Sequence, residues 1–185
     1  MKFVSSIPKT DLLFLEQNQG WSKIESKRSM IIVGIFLGVF LMRILENIIN
    51  FTIFDSQLDF KFYGKIYFLI PIIIIHELFH WITFPKPKNA IIGLSIKHFA
   101  FFVTTKEILT RTRFMLISIM PAIFLTIIPF ALLFVFRSEF LVYICLYNLI
   151  GSGIDFLNFY YLLKMPNNSI FQINGNELYT KQIYK

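Results

Sequence analysis

Cysteine, histidine and charge are all scarce in this chain, and each scarcity removes options. A single cysteine, Cys145, allows no intrachain disulfide and, set in an apolar run, is expected to pack. Three histidines are too few for the ligand set of a membrane di-iron oxygenase or desaturase. Only 16% of residues are charged while 56% are hydrophobic, a balance too apolar for a soluble globule. The net charge of +7 comes without a basic helix, zinc knuckle or other nucleic-acid signature, so no nucleic-acid partner is expected. What the chain has in quantity is long apolar runs and aromatics, 23 of them Phe, which suits a lipid bilayer as its immediate partner.

Four such runs predict transmembrane helices at about 30–50, 66–84, 114–136 and 140–163. The expected fold is an all-α integral membrane protein: a cytoplasmic segment 1–29, a four-helix domain 30–163 and a cytoplasmic tail 164–185. The first run lacks a small-residue cleavage site and reads as a retained anchor. A short interfacial helix is expected at residues 11–15. Gly34 and Gly38 have the spacing of a close helix contact, and Arg43 and Glu46, three apart, share a face and can pair. Pro85 and Pro87 end the second span, while Pro121 and Pro129 free backbone carbonyls within the third.

Residues 91–105 are rich in Ile, Phe, Val and Thr, predicting a small strand-like cytoplasmic loop between helices two and three. Such a strand either holds an extended peptide at its edge or simply lies on the membrane. Asn174-Gly175 predicts a hairpin in the tail. Fourteen of the eighteen Lys and Arg fall in segments 1–29, 85–113 and 164–185, which predicts that all three, and both termini, are cytoplasmic.

Inside the second span lies His76-Glu77-Leu78-Phe79-His80. Residues four apart on a helix stack on one face, so both imidazoles can reach one metal ion with Glu77 beside it as general base. Three ionisable groups within one and a half turns of a membrane span mark a functional site, against the plainer reading of a polar helix end. Catalytic zinc takes three protein ligands and leaves one position open. Asp155, the only charged residue inside span four, precedes the end of its span by eight residues, as His76 does in span two. The two therefore share a depth, and Asn148, Ser152 and Asp155 form one polar stripe. His98, in the cytoplasmic loop, is the other candidate for the third ligand. Asn148 reads either as a donor to a substrate oxyanion or as a packing amide.

HELFH in one membrane helix and Gly151-Ser152-Gly153-Ile154-Asp155 in a later one resemble the site-2 protease class of intramembrane zinc metalloproteases. The closer resemblance is to the small four-span zincin peptidases of bacteria, over about residues 66–165. It implies a bacterial plasma-membrane endopeptidase with Zn2+ on His76, His80 and Asp155. In such an enzyme Glu77 is the base for a zinc-activated water, and the substrate is a peptide or membrane protein. The Asn-Pro-Asp-Gly-like segment typical of site-2 proteases is absent around Asp155. Two alternatives from other classes are a non-catalytic membrane regulatory or immunity protein and a transporter subunit that retains a metal site. An intact Glu77 argues against the first, because a structural role needs no base.

Overall fold

The computed structural model describes residues 2–4, 20–24, 28–55, 62–95, 100–174 and 177–183. Four helices carry the fold: α1 (Arg28–Thr52), α2 (Leu69–Thr83), α3 (Arg111–Phe136) and α4 (Glu139–Lys164). All four apolar stretches are long and apolar enough to cross a membrane, α2 being extended back to Lys65 by a 3-10 turn, Phe62–Phe68. Bulky side chains such as Phe36, Phe40, Ile70, Ile127 and Val135 stand exposed on these helices, as a lipid-facing surface requires.

Local chemistry sets the helix ends. Pro71 sits in the first turn of α2, where a missing N–H breaks no intrahelical bond. The helix stops at Thr83 because Phe84, which precedes Pro85, is forced into extended backbone at φ −63°, ψ 147°. The Thr110 hydroxyl caps α3 by accepting from the Arg113 N–H. Arg111 in turn donates to Leu162 O and Leu163 O in the last turn of α4, where Leu162 O also accepts from the Met165 N–H. Between α3 and α4 the chain reverses through Arg137 in the left-handed conformation, followed by Ser138. Within α3, residues Ile123–Ile127 form a π turn, lying between Pro121 and Pro129.

The all-α expectation is corrected by two small sheets. Strands β1 (Lys2–Val4), β2 (Ser22–Ile24), β3 (Ile91–Ser95), β4 (Ala100–Thr104), β5 (Leu109–Thr110), β6 (Ser169–Asn174) and β7 (Glu177–Gln182) are distributed over both. One sheet runs β1-β3-β4, with β1 parallel to β3; the other runs β2-β7-β6-β5. The loop and tail hairpins were expected, but the strands of the N-terminal segment were not, because three-residue strands carry no readable periodicity. Their pairing has a topological consequence. Described strands of the N-terminal segment, the 85–113 loop and the tail are hydrogen-bonded to one another, so these strands lie together at one end of the helices. The interfacial helix expected at 11–15 lies outside the described residues.

The helices pack around a core of Met42 and Ile49 from α1, Ile53 just after it, Leu133 from α3, and Val142, Cys145, Leu146 and Leu149 from α4. Cys145 is fully buried there, as expected of a packing residue. α4 is the central helix, touching the other three. Its contact with α1 is a backbone contact: a Cβ on Gly38 would meet Leu149 O at 2.5 Å, and one on Gly153 would run into Gly34 O. Arg43, which is exposed, and Glu46, which is half-buried, pair at 2.7 Å on α1.

Candidate metal centre

α2 and α4 bring three ligand-type atoms together. His76 Nε2 lies 3.0 Å from Asp155 Oδ2, His80 Nε2 lies 3.4 Å from the same oxygen, and the two nitrogens are 3.2 Å apart. All three side chains are largely buried. The spacing expected from sequence between HELFH and Asp155 is thus realised, with the shared depth that the eight-residue offsets imply. His98, the other candidate ligand, lies outside the described residues. Glu107 and Glu177 are elsewhere. Bonds from Asn89 and Lys86 hold the Glu107 carboxyl below its ordinary range, and Lys23 and Tyr179 do the same for Glu177.

The histidine tautomers follow from what each Nδ1 faces. His80 Nδ1 lies 2.9 Å from Ile117 O, a carbonyl that can only accept, so Nδ1 carries the proton. His76 Nδ1 lies 2.9 Å from Asn148 Oδ1. The amide orientation is itself determined, because Asn148 Nδ2 faces Pro121 O at 3.2 Å, and Pro121 O can only accept. Both rings therefore turn Nε2, the atom left to ligate a metal, toward Asp155. Among the described residues no hydrogen bond reaches the buried Asp155 Oδ2, although both nitrogens are near it. Two ring nitrogens and a carboxylate oxygen thus converge within one small triangle, an arrangement that suits a cation. A tetrahedral ion with bonds of about 2.0–2.1 Å has ligand-to-ligand edges of about 3.3–3.4 Å, close to the observed triangle. His76, His80 and Asp155 could hold such an ion, and their N2O donor set suits zinc.

Asn148 is fully enclosed, 1% exposed. Its Nδ2 has three acceptors, Pro121 O, Thr126 Oγ1 and Ser152 Oγ, while Oδ1 serves His76. Both amide hydrogens are engaged, which leaves no donor for an oxyanion. The residue orients a histidine instead.

Glu77, one residue from His76, points its carboxylate toward β4, where Oε2 accepts from the Val103 N–H at 3.1 Å. β4 is the outermost strand of its sheet, so the strand expected in the 85–113 loop presents its edge at the site. Nothing in the sequence signals this contact. The Ile117 carbonyl was legible in principle, since it stands four residues before Pro121.

The sequence pattern of one family, described as putative zincin peptidase, matches residues 69–170, more than half of the chain. The chain belongs to that family. No curated protein and no solved structure matches it. The matched stretch runs from the start of α2 into β6, so it includes HELFH, all of α3 and Asp155. Zincins are zinc peptidases, and the three converging donors described above fit that metal.

Proposed function

We propose that the protein is a zinc-dependent membrane endopeptidase in which His76, His80 and Asp155 hold the metal and Glu77 is the general base. The observation that carries this reading is the triangle of two Nε2 atoms and a carboxylate oxygen, with the Nδ1 of each histidine held by an acceptor. When bound, zinc supplies a Lewis acid that polarises the scissile carbonyl and brings the pKa of water toward about 7. Glu77 takes the proton from the attacking water and delivers it to the departing amine. Val103 N–H steadies its carboxylate, and Asn148 and Ile117 O keep the imidazoles facing the metal. An extended substrate fits the open edge of β4, where main-chain hydrogen bonds hold it beside Glu77. Substrates are therefore peptide segments or membrane proteins whose chain unwinds at the level of the site. The charge distribution favours a cytoplasmic position for the two sheets and both termini, in a bacterial plasma membrane.

The test is zinc content by mass spectrometry together with cleavage of an unstructured reporter peptide fused to a single membrane helix. Glu77→Gln is expected to retain zinc and lose cleavage by at least a hundredfold, in line with loss of a general base. Asp155→Ala is expected to lose both. Full zinc occupancy in the Asp155→Ala protein would remove that residue from the ligand set. A metal-replete wild type without cleavage would favour the regulatory or transport alternatives.

A further inference from the structure

Pro121 does more than bend α3. A proline lacks the N–H that would bond to the carbonyl four residues earlier, and its ring pushes that carbonyl aside. Here the carbonyl is Ile117 O, on a residue only 4% exposed, and Pro121 is also buried. A buried carbonyl left without a donor is costly, so it recruits whatever donor the packing offers. The donor it meets is His80 Nδ1–H, at 2.9 Å. The same proline offers its own carbonyl to Asn148 Nδ2 at 3.2 Å, and Asn148 in turn orients His76.

We infer that Pro121 is a positioning residue for the metal ligands: by freeing Ile117 O from the helix, it fixes His80 as the Nδ1–H tautomer with Nε2 toward Asp155. This rests on the metal reading of the site. An alanine at 121 would restore the N–H and draw Ile117 O back into the helical ladder. His80 would then lose the acceptor that sets its ring. The alternative, that the pyrrolidine ring matters only as packing, makes a different prediction for a residue with neither ring nor N–H.

Zinc affinity of the full chain in detergent, by competition with a chromophoric chelator, separates the two. The Co2+ d–d spectrum of each variant reports ligand geometry independently of activity. Pro121→Ala is expected to bind zinc at least tenfold more weakly, the usual range for a lost partner of a ligand histidine, while melting no lower than wild type. Lactate incorporated at position 121 in place of proline has alanine's methyl group and an ester oxygen instead of the N–H. It is expected to stay within about threefold of wild-type affinity, with a wild-type cobalt spectrum. Equal affinity in wild type and Pro121→Ala overturns the inference. Equal weakening in both variants assigns the effect to the ring and also overturns it. Absence of zinc binding by the wild type would instead defeat the proposed function on which the inference depends.

Discussion

The two sides of α4 use small and polar residues at the same depth for opposite purposes. One side carries Asn148, Ser152 and Asp155, whose polar atoms meet α2 and α3 through hydrogen bonds and the ligand triangle. The other carries Gly153, which meets α1 backbone to backbone at Gly34 and Gly38. In a bilayer, apolar contact between helices gains little over contact with lipid, so association relies on close packing and interhelical hydrogen bonds. α4 employs each device on a separate side. The polar side fixes where a proton and a metal sit, and the glycine side fixes where the helix sits. Substitutions on the two sides should therefore fail in different ways.

The largest effect is expected on the glycine side. Gly153→Leu places a side chain where the carbonyl of Gly34 already is, and backbone cannot yield as a flexible side chain would. Overpacking of this kind costs about 3 kcal/mol or more, a drop of roughly 10 °C for a chain of this size. Thermal unfolding in detergent should show that drop, and zinc should be lost only in proportion to the unfolded fraction. A Gly153→Leu protein of wild-type stability would break the distinction between the two sides.

The next effect lies on the polar side and should leave folding in place. Asn148→Leu removes the acceptor of His76 Nδ1–H, and zinc affinity is expected to fall by about 10–100-fold. Asn148→Asp keeps an acceptor for that N–H while losing the Nδ2 donors. It should bind zinc more tightly than Asn148→Leu, as read by chelator competition. The opposite ranking would shift the importance of Asn148 from His76 to its contacts with Pro121 and Thr126.

How much of this was legible in the sequence depends on how local each signal is. The helices could be read because hydrophobic length is a property of consecutive residues, and HELFH because an i, i+4 pair needs only one helix. Asp155 needed one further step, a depth comparison between two spans running in the same direction. The N-terminal strands were beyond reach, since Ser22–Ile24 becomes a strand only through the tail strand beside it. Glu77 meeting the Val103 N–H, twenty-six residues away, depends on how the 91–105 hairpin folds back over α2. His80 meeting Ile117 O lay between these cases. Pro121 announced a free carbonyl, and only the packing of α3 on α2 revealed which side chain would take it.

The smallest expected effect sharpens the comparison most, because it contrasts two glycines only two residues apart. A Cβ on Gly151 would stand 3.6 Å from His76 Cε1 and 3.7 Å from its Nδ1, ordinary van der Waals contact, and Gly151 is exposed. Nothing there resembles the carbonyl that blocks Gly153. Alanine in place of an interior helical glycine stabilises by about 0.5–1 kcal/mol where no clash intervenes, because it reduces backbone freedom in the unfolded chain. Gly151→Ala should therefore melt at or slightly above the wild-type temperature, with zinc affinity within about twofold because the methyl meets only the ring edge of His76. A tenfold loss of zinc with unchanged melting would mean that the ring of His76 needs that space, and would move Gly151 to the metal side of the helix. A lower melting temperature would instead extend the close seam with α1 around to position 151.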